Sequence, residues 1–438
     1  MSKKLRIVPI LVLILVMCFS SIASVFAAQP EGTETSPAEA AITKLFKVPH
    51  GTDVPETTFK FKVEPVSIDD DTDEKPTLDG IGLNDDGIIE IEFPGVYTFK
   101  ETIDDTDYYY LESASLFENV EFENAGIYEY KITEFNTTFV NNGTILDDNY
   151  EIMYFSKAVY TIKVYVKDGD EGTYIYWIGA VRTTDDDGDE DGVKVDPTPG
   201  KTDTEHEYSE MIFTNVYVKS NGGGDEEDPD NWTFNVNKTV DGEYGNKSKY
   251  FKFSLTLTQP SLIADELTFK GYVVEKDPDN PGDYIVVTNT DNGADSGKDY
   301  IEFKFGNKDV EFYLKHGQYL VFKNVPVGTS YEIIEYGTSG YEPSVKIYIA
   351  EDAGIAFAGE KGKSLKLPQD LDFNNIDHDY LFVGEGNGNS TDFTNTNNAT
   401  PATGIDLNNL PFIILIVLGL GTIVMLIITK NRKRDTID

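Results

Sequence analysis

Each half of the chain opens with a strand-like segment whose apolar face includes a lysine. Alternate residues of a β-strand point to the same side of a sheet, so a run of alternating apolar residues marks a face that packs against a core. The alternating positions are Phe234, Val236, Lys238 and Val240 in the second half, and Ile42, Lys44 and Phe46 in the first. The pattern therefore predicts that Lys44 and Lys238 point into a core.

Glutamate and asparagine occupy the same kind of position later in each half. The last strand-like segment of each half carries an asparagine in phase with its apolar residues, and an earlier segment ends in an in-phase glutamate. These sets are Tyr128, Tyr130, Ile132 and Glu134; Phe213, Asn215 and Tyr217; Tyr331, Ile333 and Glu335; and Phe393 and Asn395. The order Lys, Glu, Asn thus occurs twice.

A buried lysine beside a buried glutamate and an asparagine amide can form an isopeptide bond. Burial disfavours the charged forms, which leaves a nucleophilic amine and a carboxylic acid that donates a hydrogen bond. The amine attacks the amide carbon, the glutamic acid polarises the carbonyl and moves protons, and ammonia leaves. The predicted bonds are Lys44–Asn215, with Glu134 as catalyst, and Lys238–Asn395, with Glu335 as catalyst. The alternative is that these are exposed strand-end residues and turn asparagines.

The elements that must position these residues are β-strands. The chain contains 26 Tyr and 26 Phe, and outside its termini it lacks the periodicity of amphipathic helices. Residues 159–166 and 173–178 alternate on either side of a glycine-containing turn, which predicts a hairpin. Short strands with frequent turns favour an all-β fold of two tandem β-sandwich domains.

Composition places the domain boundaries. Residues 28–40 contain Pro, Glu, Thr and Ser and are predicted to be flexible, and the Gly- and Asp-rich residues 219–230 are predicted to be a linker. The first domain then spans 41–218 and the second 231–397.

These stretches resemble two kinds of Gram-positive surface module. Residues 42–45, 125–134, 158–164 and 213–215 resemble the pilin isopeptide-linkage domain of major pilins. Residues 236–242, 325–335 and 393–395 resemble the B-type stalk modules of collagen adhesins. The resemblance implies Ig-like sandwiches, and it assigns the same cross-linking roles to the two sets of lysine, glutamate and asparagine.

The N-terminus predicts export. Lys3, Lys4 and Arg6 precede an apolar stretch and small residues near Ala27, the arrangement of a signal peptide over residues 1–27. Cys18 is the only cysteine, so the exported chain would hold no disulfide, cysteine nucleophile or cysteine metal ligand.

The C-terminus predicts anchoring in the cell wall. Residues 410–429 are apolar and long enough to cross a bilayer, and the basic residues of 430–438 would remain in the cytoplasm. The preceding residues 400–404 resemble a sortase motif with Thr400 where the family has leucine. The resemblance implies that a sortase cleaves between Thr403 and Gly404 and joins Thr403 to an amine. The alternative is a simple membrane tail.

Charge and residue types exclude several functions. The formal net charge of −41 argues against binding nucleic acid. The four histidines, His50, His206, His316 and His378, lack metal-ligand spacing, and no metal or cofactor is predicted. In the acidic loop 185–192, Asp187, Asp189, Asp191 and Gly192 have the spacing that begins an EF-hand loop. Thr198 stands at the twelfth position, where a bidentate glutamate is required, so a solvated loop is favoured over Ca²⁺ binding.

The combined prediction is a secreted, wall-anchored structural protein: a pilus subunit or an adhesin stalk, and not an enzyme. Its expected partners are a sortase, peptidoglycan or neighbouring pilin subunits, and a host ligand. The alternatives are a singly displayed ligand-binding adhesin and, more remotely, a surface hydrolase. The resemblance makes Lys219 a candidate acceptor for polymerisation, although Val218 replaces the proline of the pilin motif; the alternative is an exposed linker lysine.

Overall fold

The structure of the protein is a computed structural model. It describes residues 31–82, 87–95, 101–145, 147, 149–200, 208–221, 229, 234–350, 354–371 and 380–398. In this part of the chain no helix is both long and apolar enough to span a bilayer. The predicted signal peptide 1–27, sortase motif 400–404, membrane span 410–429 and basic tail 430–438 lie outside the described residues.

The described chain is all-β, as predicted. The strands of the first half are β1 (Thr43–Pro49), β2 (Thr57–Ile68), β3 (Ile88–Phe93), β4 (Glu101–Ile103), β5 (Thr106–Glu112), β6 (Gly126–Thr137), β7 (Glu151–Tyr154), β8 (Val159–Asp168), β9 (Thr173–Thr184), β10 (Glu190–Val195) and β11 (Ile212–Lys219). Those of the second half are β12 (Phe234–Asp241), β13 (Phe251–Thr258), β14 (Thr268–Lys276), β15 (Tyr284–Val286), β16 (Ile301–Lys304), β17 (Val310–Leu314), β18 (Gln318–Phe322), β19 (Ser330–Glu335), β20 (Glu342–Tyr348), β21 (Ile355–Ala358), β22 (Leu365–Leu367), β23 (Leu381–Phe382) and β24 (Asn389–Thr396). A short 3₁₀ helix spans Thr290–Asn292.

Two facing sheets form the first half. One has the order β4-β5-β1-β11-β7 and the other β10-β9-β8-β6-β2-β3. Within the first sheet β1 and β11 pair in parallel. The predicted hairpin is present as the antiparallel pair β8 and β9. Rings from the two sheets meet in the core, where Phe46 and Phe59 lie 5.5 Å apart and Phe61 and Phe213 lie 4.9 Å apart.

The second half repeats this plan with different strands. One sheet has the order β15-β14-β18-β12-β24-β20-β21, with β16 beside β14, and the other has β17-β13-β19-β22, with β23 beside β19. Its first and last strands, β12 and β24, again pair in parallel. Phe253 and Phe393 join the two sheets with ring centroids 5.2 Å apart.

The predicted boundaries need two corrections. Gly32 and Ala38 donate backbone hydrogen bonds to the carbonyls of Tyr176 and Ile175 in β9, so residues 31–38 lie against a sheet rather than free of it. Lys219 is the last residue of β11, and the N–H of Asn221 donates to the carbonyl of Val325 at 2.8 Å. The segment predicted as a linker therefore begins inside ordered, partly buried structure.

The two halves also share contacts near that point. Tyr150, Ile152 and Val218 of the first half belong to the hydrophobic core of the second. The carboxylate of Glu385 accepts the backbone N–H of Asp53 at 2.8 Å and pairs with Lys219. We refer to these contacts as the junction.

Candidate functional site

The first predicted triad is brought together in the core of the first half. In the parallel pair β1 and β11, Lys44 lies opposite Phe213, and Asn215 lies opposite Phe46. The lysine and the asparagine therefore belong to neighbouring strands, offset by two residues on the inward face. Glu134 reaches them from β6 of the facing sheet, near the end of that strand.

Glu134 bridges the other two side chains. Its Oε2 lies 2.7 Å from Lys44 Nζ, and its Oε1 accepts a hydrogen bond from Asn215 Nδ2 at 2.8 Å. The side chain of Lys44 is fully buried, and that of Glu134 is 3% exposed. One carboxyl group thus contacts both the amine and the amide that the predicted reaction joins.

Burial makes Lys44 easier to deprotonate than an ordinary lysine. Desolvation lowers its pKa to about 8, although the nearby Glu134 and Asp186 act in the opposite direction. The amine lies 4.5 Å from the ring centroid of Phe59, so an apolar wall replaces water on that side. A substantial fraction of Lys44 is then neutral just above physiological pH.

The second triad has the same strand register. In the parallel pair β12 and β24, Lys238 lies opposite Phe393, and Asn395 lies opposite Val240, the same two-residue offset as in the first half. Glu335, the last residue of β19, comes from the facing sheet. All three predicted residues are 1–2% exposed.

In the second triad a single carboxyl oxygen makes both contacts. Glu335 Oε1 lies 2.9 Å from Lys238 Nζ and accepts a hydrogen bond from Asn395 Nδ2 at 2.7 Å. Glu335 Oε2, Asn395 Oδ1 and Lys238 Nζ are buried and have no hydrogen-bond partner among the described residues. Polar atoms left unpaired in a core are costly, and here three of them meet at one site.

The charged forms are disfavoured on both sides of this contact. Burial lowers the pKa of Lys238 and raises the pKa of Glu335, and in each case the partner's charge only partly opposes the effect. A neutral amine beside a protonated carboxyl is the pairing that isopeptide chemistry requires. In the second triad the geometry and the burial thus favour the same reaction.

The two triads also share an aromatic frame that the sequence analysis missed. Lys238 Nζ lies 4.8 Å from the ring centroid of Phe251, and Lys44 Nζ lies 4.5 Å from the ring centroid of Phe59. Two residues further along the same strands, Phe61 lies opposite Glu134 and Phe253 lies opposite Glu335. The signal was present in the sequence as Phe-Lys-Phe at 59–61 and 251–253.

A similar cluster at the surface shows what burial contributes. Lys315 Nζ lies 3.3 Å from Glu275 Oε2, which also accepts a hydrogen bond from Gln318 Nε2 at 3.2 Å. The lysine and glutamate side chains are 33% and 32% exposed. Water can reach both side chains there, whereas the lysines of the two triads are buried.

The acidic loop at 185–192 does not have the arrangement of a calcium site. Asp185 Oδ1 accepts the backbone N–H groups of Asp187, Gly188 and Asp189 at 2.9–3.1 Å. Asp191 pairs with Arg182 at 2.5 Å. Across the described residues, no group of three or more His, Cys, Asp or Glu side chains could hold a metal ion.

The remaining predicted residues fall into two groups. Lys219 is only 15% exposed and pairs with Glu385 at the junction, so the alternative of an exposed linker lysine is wrong. Thr403 and Gly404 lie outside the described residues. The predicted sortase site therefore stays a prediction.

Comparison with known proteins gives one family match and several structural likenesses. Residues 233–397 match the model of a domain of unknown function (DUF7601). Among curated proteins, none matches the chain significantly.

Of the solved structures, a mutant of the major pilin from Streptococcus pyogenes is 20% identical, with a TM-score of 0.31, over 83% of this chain and all of that one. The T3.2 major pilin of the same organism is 17% identical, with a TM-score of 0.31, over 83% of this chain and 98% of its own. A pilus-presented adhesin, Spy0125 (Cpa), is 14% identical, with a TM-score of 0.20, over 55% of this chain and 36% of its own. These values describe likeness alone, and inferences about function rest on the two buried triads.

Proposed function

We propose that the protein is a secreted, wall-anchored structural subunit of a pilus or adhesin stalk, built from two Ig-like sandwiches that each form an internal Lys–Asn isopeptide bond. One observation carries the proposal. In each half a buried carboxyl group touches both a lysine and an asparagine on neighbouring parallel strands. Because these strands are the first and last of their sheet pair, a bond there closes nearly the whole unit.

The reaction balances without an external reagent. The neutral lysine Nζ attacks the asparagine Cγ, forming a C–N bond and placing negative charge on Oδ1. The glutamate takes a proton from Nζ and gives one to Nδ2, the Cγ–Nδ2 bond breaks, and ammonia leaves. Each triad reacts once, so the protein is consumed as a substrate and is not an enzyme.

The bonds fit a protein that resists force outside the cell. The predicted mature chain has no cysteine, and an isopeptide bond needs no oxidant. A cross-link restricts the unfolded state, which stabilises the folded one. Sorting at Thr403 would join the chain to peptidoglycan or to another subunit, with a sortase as partner.

Intact-mass measurement tests the proposal. The purified full chain should be lighter than its sequence by two ammonia molecules, and peptide mapping should find Lys44 linked to Asn215 and Lys238 linked to Asn395. The surface cluster of Lys315 and Gln318 should remain unlinked.

Two variants of β6 make the assignment of the catalyst specific. Glu134→Ala should retain the ammonia of the first half, because no group remains to transfer the protons. Glu129→Ala is the matched control: this residue lies on the same strand and pairs with Lys163 at 3.2 Å, away from the triad. A chain that shows its full sequence mass would refute both bonds.

The alternative role is a ligand-binding adhesin displayed singly on the wall. Gel electrophoresis of wall extracts separates the two, because a pilus subunit gives a ladder of high mass and a single adhesin gives one band. If a ladder forms, Lys219→Arg tests the acceptor. Its ion pair with Glu385 must open before Lys219 can react, so we expect Glu385→Gln to keep the ladder and Lys219→Arg to abolish it.

A further inference from the structure

We propose that the backbone N–H of Ser156 is a catalytic oxyanion donor for the Lys44–Asn215 bond, and that Asp186 is the positioning residue that holds it. In the part of the chain that the structure describes, the second triad has no such donor. This inference rests on the proposed isopeptide chemistry and adds a division of labour: the first bond should form with help from the backbone, and the second should depend on its glutamate alone.

The donor is aimed at the atom that becomes charged. Ser156 N–H donates to Asn215 Oδ1 at 2.8 Å, and the two residues are 6% and 0% exposed. When Lys44 attacks Cγ, negative charge develops on this oxygen. A fixed donor in a site without water stabilises that charge, and such donors contribute strongly to acyl-transfer reactions.

Asp186 ties the donor segment to the strand that carries the asparagine. Its Oδ1 accepts hydrogen bonds from Ser156 Oγ at 2.5 Å and from the backbone N–H of Thr214 at 2.9 Å. Its backbone carbonyl accepts the N–H of Lys157 at 3.0 Å. One residue thus fixes both Ser156 and the residue before Asn215.

The acidic loop of residues 185–192 acquires a role through this arrangement. Asp185 closes the turn by accepting three backbone N–H groups, and the adjacent Asp186 faces the triad. Asp186, which directly precedes the residues with cation-loop spacing, holds Ser156 in place. The carboxylates of Asp185, Asp186 and Asp191 each accept from protein donors.

The second triad lacks this support. Neither Asn395 Oδ1 nor Glu335 Oε2 has a hydrogen-bond partner within the described ranges. Rotation of the Asn395 amide would bring its oxygen toward the protonated carboxyl, so Glu335 must both polarise the carbonyl and transfer protons. The Lys44–Asn215 bond is therefore expected to form first.

The rates can be compared within one molecule. The full chain is made by cell-free translation with a short isotope pulse, samples are quenched in acidic denaturant, and mass spectrometry measures the linked fraction for each bond over time. Asp186→Ala should slow the first bond by about tenfold or more, toward the ~100- to 1,000-fold that loss of an oxyanion donor costs. The second bond, which these residues do not touch, is the internal control.

Asp186→Asn separates positioning from charge. It keeps an oxygen acceptor for Ser156 and Thr214 but removes the carboxylate that opposes the lowered pKa of Lys44. We expect this variant to restore most of the rate and to move the midpoint of the pH–rate profile to lower pH.

Three results would overturn the inference: an unchanged first bond in Asp186→Ala, equal slowing in Asp186→Asn, or equal slowing of both bonds. If the unaltered chain formed no Lys44–Asn215 bond, the proposed chemistry of the first half would itself fail. That result is distinct from the other three.

Discussion

Removing the second bond should release a defined length of chain under force. Asn395→Ala deletes the electrophile but leaves the buried Lys238 paired with Glu335, so it avoids stranding a charge in the core. With the bond intact, the 156 residues between Lys238 and Asn395 cannot extend. At about 3.4 Å per residue they correspond to roughly 500 Å of additional contour length in the variant.

Single-molecule pulling on the whole chain measures this directly. The unaltered protein should show no unfolding step of that length, and Asn395→Ala should show one. Asn397→Ala is the matched control, because this asparagine lies two residues further along and its side chain donates to the carbonyl of Tyr244, away from the triad. Equal contour lengths for the unaltered protein and Asn395→Ala would refute the mechanical role of the bond.

Three further predictions concern catalysis, pH and sorting. Glu335→Ala should leave a folded second half that keeps its ammonia, whereas the exposed Glu332→Ala on the same strand should lose it; mass spectrometry decides. Asn215→Ala leaves Lys44 unlinked with a pKa of about 8, below its unfolded value, so the folded state binds fewer protons. Its free energy of unfolding should therefore rise between about pH 8 and 10 by on the order of 3 kcal/mol, and denaturation of Asn215→Ala/Lys44→Met should lack this rise. Thr403→Ala should move the protein from the wall fraction to the membrane fraction, and unchanged attachment would contradict sorting at this residue.

The strand period explains why the triads could be predicted. A lysine on the same strand face as Phe234 and Val236 must point into the core. Glu335 must do so too, because it lies on the same face as Ile333. The two-residue strand period and the order Lys, Glu, Asn in each half also implied that the first and last strands lie side by side. The two-residue offset between Lys238 and Asn395 could not be predicted, because the register of a parallel pair depends on packing against the facing sheet.

Ser156 and Asp186, which the sequence analysis missed, lie after strand ends, where the alternation of apolar residues does not predict contacts. Ser156 follows β7 and Asp186 follows β9, and the contacts between them arise only when both strand ends reach β11. Lys219 was misplaced for the opposite reason. The composition of the following residues predicts a linker. Val218 is instead buried in the core of the second half, so the end of β11 lies at the junction.

Because the first and last strands of each half pair in parallel, the two cross-links would divide the chain into a path that carries tension and segments that do not. With both bonds closed, tension passes from Lys44 to Asn215, along the 22 residues to Lys238, and across to Asn395. Residues 45–214 and 239–394 lie outside this path and carry none of the tension. Their loops are then free to vary, or to bind, at no mechanical cost. The contacts of Val218 and Lys219 at the junction lie on this path and are noncovalent, so they should open before the cross-links do and form again when the tension is released.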